Sequence, residues 1–321
     1  MAITELTAGA LNARQFIRDQ VRRIAEAVGD GLAVTALSGG VDSSAVTMLG
    51  HRALGERLKA YFIDNGLMRQ DEPRAVAELF AGLGVPVEIV PAQREFFQAL
   101  KGLVDPEQKR EAITQTFYAK VFRRLVKQSG ARFLLQGTIL TDVEETIAGI
   151  KRQHNVLEQL GIDPRRAFGY TVLEPVLQLR KDGVRKVAKA LGLPQSVYAR
   201  MPFPGPALAA RVVGEASPEN IDLVRRATAI VETELKNTKA FQYMAILHQD
   251  RFAGMREGKR DFGLQIEVRC WQSVDARAAK PVWLSARILE RLARRITTEV
   301  RGVVSVTYNI TPKPPATMEA V

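Results

Sequence analysis

The apolar run Gly31-Leu32-Ala33-Val34-Thr35-Ala36-Leu37 ends in Ser38-Gly39-Gly40-Val41-Asp42-Ser43-Ser44, and the helix-like SSAVTMLGHRAL follows at once. A buried strand that turns through two glycines into a helix is the opening unit of an α/β fold. The alternation then repeats: KAYFIDN reads as a strand, EPRAVAELFAGLG as a helix with a glycine stop, and VEIVPA as a strand. A long charged helical stretch follows from about Pro106 to Gln128, and RFLLQGT is a further buried strand. Ahead of the first strand, Ile17, Val21, Ile24 and Val28 recur at helical spacing. Strands alternating with helices predict a doubly wound parallel sheet covered on both faces, and the pattern continues to about Gly192.

The Ser38–Ser44 loop also carries the clearest chemistry. Two glycines let the backbone approach an anion, the turn and helix start aim several N–H groups at it, and the serines add hydroxyl donors. No lysine follows the glycines at the spacing of a kinase-type P-loop, and the G-x-G-x-x-G of dinucleotide binders is absent. A glycine turn capped by Asp or Ser is common in any α/β protein, but the whole string SGGVDSS at a strand-to-helix junction favours a phosphate site.

The pattern changes at MPFPGPALAARVVGE, whose three prolines in six residues mark a domain junction or an ordered binding loop. Beyond it a helix is expected over about Pro218 to Leu235, strands around Gln242 to Leu247 and Leu264 to Arg269, a helix over Ser285 to Val300, and a last strand in VVSVTYNI. These elements predict a smaller α+β domain, with residues 1–200 forming the first domain and 201–321 the second. The stretch from about Ile147 to Gly169 has weak periodicity and many charges, as a lid would.

Composition narrows the classes. The formal charge of +11 allows a polyanionic partner, and nucleotide phosphates would suffice. The basic residues are spread over helix-like segments (Arg18, Arg22, Arg23; Arg123, Arg124, Lys127; Arg291, Arg294, Arg295), which reads as solvated helix faces; nucleic acid is the weaker expectation. No run approaches 18 apolar residues and the first 20 residues lack the regions of a signal peptide, so a cytoplasmic enzyme without membrane association is expected. Cys270 is the single cysteine, which excludes an intramolecular disulfide and two-cysteine sulfur-transfer motifs within one chain.

The SGGVDSS loop resembles the signature of the N-type ATP pyrophosphatases, the PP-loop superfamily, which implies an adenine nucleotide alpha hydrolase-like fold that binds the pyrophosphate part of ATP at Ser38, Gly39, Gly40, Val41, Asp42, Ser43 and Ser44. Within that superfamily FIDNGLMR, DPEQKR, QGTILTDVEE, LRKDGVRKVAKALGLP, MPFPGPALAARVVGE and KPPATME resemble, in this order, the synthetase domain of the GMP synthetases. The resemblance implies ATP and Mg²⁺. It assigns adenosine to Asp64, Asn65 and Gly66, with Gln136, Gly137 and Thr138 closing the site. It places Asp42, Asp142 and Glu145 at the metal and phosphates, and Asp42 and Lys181 in catalysis, with Lys181 neutralising phosphate charge. The acceptor nucleotide, XMP, falls to Arg110, Pro204, Gly205, Pro206, Arg211, Lys313, Pro314, Pro315, Ala316, Thr317 and Glu319, and the second domain forms a homodimer. His154, implied as a catalytic residue, reads equally well as a proton carrier, a substrate contact or neither.

A lactam-type carbonyl oxygen is a poor leaving group, so transfer of AMP to it, with loss of pyrophosphate, prepares displacement by ammonia. No protein nucleophile is required. A glutaminase would need a Cys, His and acid constellation, and Cys270 falls in the second domain, so the expected ammonia source is free ammonia or a separate glutamine amidotransferase subunit. Two departures from the family pattern fall on the acceptor side: K-S-H-H-N-V-G-G becomes Lys151-Arg152-Gln153-His154-Asn155-Val156-Leu157-Glu158, and T-I-E-W-E becomes Thr317-Met318-Glu319-Ala320-Val321. They keep open an ATP pyrophosphatase that adenylates another nucleotide or a tRNA base, and a catalytically silent nucleotide-binding regulator.

Overall fold

The computed structural model describes residues 3–147, 169–274 and 276–320, apart from the side chains of Glu145 and Ile147. The expected lid, including His154 and the altered stretch 151–158, lies outside them, as does the residue 321 end of the tail. The chain forms two compact units, Met1–Asp64 with Glu72–Pro91 and Thr114–Arg200, and Asn65–Asp71 with Ala92–Ile113 and Met201–Val321. Two segments ahead of residue 200 therefore pack with the second unit.

The first unit is a five-stranded parallel sheet flanked by helices. In chain order its elements are α1 (Ala13–Val28), β1 (Ala33–Ala36), α2 (Val41–Leu54), β2 (Leu58–Asp64), α3 (Glu72–Gly82) and β3 (Val87–Pro91). Asn12 opens α1 by accepting from the Gln15 amide at 3.1 Å, and the helix buries Phe16, Ile17, Gln20, Ile24 and Val28. Val21, expected on that face, is only half-buried. The helical stretch after position 106 is built of three pieces, α5 (Pro106–Gln115), a π-helical turn (Thr116–Phe122) and α6 (Arg123–Ser129), with α4 (Gln93–Leu100) preceding them; α4 and most of α5 belong to the second unit. Then come β4 (Phe133–Leu135), α7 (Leu140–Ile147), β5 (Thr171–Leu173), α8 (Lys181–Ala190) and the short α9 (Gln195–Tyr198).

The strand order is β3-β2-β1-β4-β5, with all pairs parallel. The chain winds outward from β1 through β2 to β3, then crosses back to β4 on the other side of β1. That reversal makes the C-terminal ends of β1 and β4 the topological switch point, where open α/β sheets bind ligands. The Ser38–Ser44 loop leaves β1 and Gln136-Gly137-Thr138 leaves β4, so both predicted nucleotide segments sit there.

The second unit holds a mixed sheet: β6 (Val212–Val213), β7 (Gln242–Arg256), β8 (Lys259–Ser273), β9 (Ala279–Pro281) and β10 (Val303–Tyr308). Its order is β10-β8-β7-β6 with β9 on β8, and α10 (Pro218–Leu235) and α11 (Ala286–Glu299) pack with the sheet and with each other. β7 and β8 are each 15 residues long and run antiparallel as a hairpin, well beyond the short strands expected from the apolar pattern. Its outer half carries exposed Met255 and Phe262, where the sequence has no inward-facing alternation to read.

Candidate active site

In the first unit α2 starts at Gly40, whose extended backbone (φ −73°, ψ 155°) turns the chain into the helix with no side chain capping its first amides. Uncapped amides at a helix start are donors for an anion. The loop keeps its shape through its own serines: Ser43 Oγ lies 3.0 Å from Ser38 Oγ and donates to the Gly40 carbonyl at 3.1 Å, while the Ser38 amide donates to Ser43 Oγ at 3.2 Å. Gly39 has φ +75°, a conformation that favours glycine, and its carbonyl accepts from Arg200 Nη1 at 2.9 Å. Arg200 also pairs with buried Glu72 on α3. Sequence reasoning missed Arg200; no periodicity or motif marks a contact made 161 residues away.

Asp42, in the first turn of α2, is the centre of charge. Its Oδ2 accepts from Lys181 Nζ at 2.5 Å, and its Oδ1 is buried with no hydrogen-bond partner. Lys181 begins α8, and the Arg180 that precedes it holds Glu144 of α7 with two hydrogen bonds of 2.8 and 2.6 Å and Glu5 with one of 3.0 Å. The starts of α2 and α8 thus meet through Asp42 and Lys181, and Arg180 ties them to the middle of α7 at Glu144. Gln136 and Thr138 are buried, with Gln136 Nε2 donating to Thr138 Oγ1 at 3.0 Å. Between them Gly137 leaves no room for a side chain: a Cβ there would stand 2.9 Å from the Ser43 amide nitrogen.

Asp142 Oδ2 accepts from the Ile139 amide at 3.1 Å, so one of its oxygens serves the start of its own helix. The Glu145 side chain is not among those described. No cluster of three or more His, Cys, Asp or Glu side chains able to hold a metal occurs among the described residues. The buried, unpartnered Asp42 Oδ1 suits Mg²⁺, which typically takes one or two carboxylates and completes its shell with waters and substrate phosphates.

Asp64 ends β2 in the first unit, whereas Asn65 and Gly66 belong to the second. Asn65 Oδ1 accepts from the Leu67 amide at 2.9 Å, and Gly66 has φ +75°. The 65–71 segment is tied to α10 by Arg225, which donates to the carbonyls of Met68 (2.9 Å) and Gly66, and by the 2.6 Å Arg69–Glu232 pair.

The acceptor residues expected in the second unit fall into two segments. The Pro204-Gly205-Pro206 loop closes with the Ala207 amide donating to the Pro204 carbonyl at 2.9 Å, and Phe203 lies under both the Arg69 and Arg211 guanidinium groups (3.9 and 4.9 Å). Arg211 is 1% exposed. It pairs with Glu319 at 3.4 Å and leaves Nη1 without a partner, so here its contacts are to the protein. Lys109, beside the expected Arg110, is 2% exposed and donates to the carbonyls of Val212 (2.8 Å), Gly214 (3.0 Å) and Ala209 (3.4 Å). Burial lowers its pKa to about 8, against the opposing charge of Asp105. Arg110 keeps an ion pair with Glu107 at 3.5 Å.

The C-terminal segment is anchored at several points. Lys313 and Ala279 exchange backbone hydrogen bonds (2.9 and 3.0 Å), and Lys313 Nζ donates to the Ala276 carbonyl at 2.8 Å. The bend at Pro314-Pro315 returns the Ala316 amide to the Pro312 carbonyl at 3.0 Å, and Thr317 Oγ1 donates to the Glu319 carbonyl at 2.6 Å. Glu319 Oε1 accepts from Gln242 at 3.0 Å. Cys270, on β8, is buried and its thiol is pushed up to about 11 by burial, the opposite of an activated nucleophile.

The model of the family described as "Asparagine synthase" matches residues 12–256, and that of "GMP synthase C terminal domain" matches residues 229–320. Among curated proteins, the chain is 44% identical to a subunit of the glutamine-hydrolyzing GMP synthase of Archaeoglobus fulgidus, over 96% of this chain and 99% of the relative. It is 45% identical to the corresponding subunit from Methanoculleus marisnigri, over 96% and 99%, and 44% identical to that of Pyrococcus furiosus, over 95% and 96%. The chain belongs to this family of GMP synthase subunits. The motif order read from the sequence and the parallel sheet agree with that membership. No helix among the described residues is long and apolar enough to cross a membrane.

Proposed function

We propose that this enzyme aminates XMP to GMP at the expense of ATP. The observation that carries the reading is the SGGVDSS loop at the switch point of the parallel sheet, with Lys181 on Asp42, in a chain that aligns over nearly its whole length with GMP synthase subunits.

The xanthine carbonyl oxygen attacks the α-phosphorus of ATP. An oxygen–phosphorus bond forms, the bond to the β-phosphate breaks, pyrophosphate leaves, and the ring N–H beside the carbonyl gives up its proton. Ammonia then attacks the same ring carbon, AMP departs with the carbon–oxygen electron pair, and the added nitrogen gives up a proton. The amides at the start of α2 and the ammonium of Lys181 oppose the charge that develops on pyrophosphate, the electrostatic work such a step needs most. Asp42 orients Lys181 through Oδ2 and offers Oδ1 to the metal. Bound Mg²⁺ would neutralise phosphate charge and polarise the reacting phosphoryl group. Asp142 and Glu145 remain candidates to support that metal, and Gln136, Gly137, Thr138 and Asp64 to line the nucleotide.

We assign residues 1–200 mainly to ATP and 201–321 to the acceptor and to a homodimer. Arg110, the Pro204–Pro206 loop and the 313–319 segment are the proposed XMP contacts, with Arg211 shaping them. Ammonia comes from a separate glutaminase partner, as the name of the relatives, a glutamine-hydrolyzing synthase divided into subunits, implies for those proteins. We propose a cytoplasmic location for the enzyme.

The deciding assay measures pyrophosphate release and GMP formation from ATP, Mg²⁺ and ammonium, with and without XMP, using Asp42→Ala as control. XMP-dependent release with matching GMP, lost in Asp42→Ala, is the expected result. Release without XMP, or with another acceptor in its place, would replace XMP in this scheme. ATP binding with no release under any condition would make the protein a silent nucleotide binder.

A further inference from the structure

The residues that follow β10 form no helix or strand, yet residues 313–319 include five of the proposed acceptor contacts at Lys313, Pro314, Pro315, Ala316 and Thr317, and a sixth at Glu319. Among the described residues, no backbone amide donates to the carbonyls of 317–319. Side chains do: Thr317 Oγ1 donates to the Glu319 carbonyl at 2.6 Å, and Arg269 reaches all three. Arg269 Nη1 donates to the carbonyls of Thr317 (2.9 Å), Met318 (3.2 Å) and Glu319 (3.4 Å), so three successive peptide oxygens curve around one guanidinium nitrogen.

That guanidinium is itself fixed. Its Nε donates to Glu267 Oε1 at 2.5 Å, and Glu267 also accepts from Asn309 Nδ2 at 2.9 Å and lies 2.8 Å from His248 Nε2. Glu267 and Arg269 stand two residues apart on β8, hence on one face of the sheet, with Trp271 next in line. Met318 packs on that same face against Met244, Ile246, Trp271 and Ala279. The segment is therefore held by an apolar plug at Met318 and a polar clasp at its carbonyls, and Glu319 emerges from the clasp toward Arg211 and Gln242.

We propose that Arg269, oriented by Glu267, is a positioning residue that sets residues 317–319 in the shape that receives the acceptor nucleotide. The inference rests on the proposed role of this segment in binding XMP. The planar fork is essential to it, because a lysine ammonium is a point donor that cannot span Glu267 and the peptide oxygens with the same geometry.

Three measurements test it on the full chain. In Arg269→Lys the KM for XMP rises about tenfold or more while the KM for ATP stays within about twofold, as the loss of charge-assisted hydrogen bonds on the acceptor side alone predicts. Glu267→Gln, which keeps the shape but loses the orienting charge, shifts the same ratio in the same direction by less. Hydrogen–deuterium exchange of the C-terminal peptide rises in Arg269→Lys without any substrate present. An unchanged KM for XMP, or a lowered melting temperature with both KM values moved together, overturns the proposal. If the wild-type enzyme makes no GMP from XMP, the functional reading fails first, and unchanged exchange in Arg269→Lys then overturns the clasp separately.

Discussion

Replacing Gly137 by alanine puts one methyl group between the exit of β4 and the first turn of α2, and the geometry says where the strain goes. The added Cβ would lie 2.9 Å from the Ser43 amide nitrogen, 3.0 Å from the Asp42 carbonyl carbon and 3.3 Å from Asp42 Cβ. Carbon atoms in comfortable contact are about 3.5–4.0 Å apart, so two backbone atoms must retreat by roughly half an ångström. They belong to the turn that carries Asp42 and the proposed phosphate-binding amides. Overpacking of this kind costs about 1–3 kcal/mol, and the melting temperature of a domain this size falls by about 2–4 °C per kcal/mol. Where the same shift misaligns the bound triphosphate, each 1.4 kcal/mol or so weakens ATP about tenfold. The assay pairs thermal unfolding with calorimetric titration of ATP, and Gly82→Ala is the control. Gly82 ends α3 with nothing within 4 Å of its would-be Cβ, so alanine there is neutral or stabilising by up to about 1 kcal/mol. A Gly137→Ala protein with wild-type melting and wild-type ATP affinity would refute the account of how β4 and α2 build the site.

Two further outcomes follow from the charges. Lys181→Gln removes the cation on Asp42 Oδ2, and we expect kcat for pyrophosphate release to fall by about 10²–10³ with the melting temperature nearly unchanged, since the pair is partly exposed. Burial alone would raise the carboxyl of Glu267, but hydrogen bonds from His248, Arg269 and Asn309 and the Arg269 charge outweigh it and hold the group at about 2 instead of 4.5. A depressed folded-state pKa stabilises above the unfolded value and loses that contribution as pH falls toward the folded one. The effect is about 3 kcal/mol near neutrality, of which about 2 is gone by pH 3. The stability gap between wild type and Glu267→Gln, read by urea unfolding, therefore narrows between pH 6 and pH 3; a gap independent of pH would contradict the network.

The proposed ATP side was legible because its signals are local. An apolar run, two glycines and a helix start lie within 14 residues at Gly31–Ser44, and the strand–helix alternation sets β1 to β4 in a parallel sheet without knowledge of any distant contact. The division into units was not legible in the same way. Asn65–Asp71 and Ala92–Ile113 each follow a strand of the first unit in sequence, yet they are drawn into the second unit by donors that carry no periodicity: Arg225 on the Met68 carbonyl and Lys109 on the Val212 carbonyl, 157 and 103 residues away. The outer half of the β7–β8 hairpin was missed because exposed strands lack the inward-facing alternation on which a strand reading depends. Asp142, grouped with the metal by resemblance, also serves as a cap, which is the commoner use of an aspartate at a helix start.

Lys109, Arg211 and Arg269 show why the proposed acceptor side resists reading from sequence. A basic residue in a charged helix or strand normally faces water, and in this unit all three are turned inward. Taking a cation out of water is costly unless its donors are used; Lys109 directs its donors to the peptide oxygens of Val212 in β6 and of Gly214 just after it, and Arg269 to those of the irregular 317–319 segment. Each such bond is worth little net while intact, yet losing the donor leaves its acceptors short of a partner, most expensively at the Val212 carbonyl, where the bond is buried. The 317–319 segment is therefore held by side-chain donors rather than by secondary structure. A loop fixed before its ligand arrives loses less entropy on binding. The same logic locates the fragility: the segments that carry the proposed acceptor contacts depend on a few long-range cations, so replacing Lys109 or Arg269 is expected to reach the proposed acceptor site without touching it.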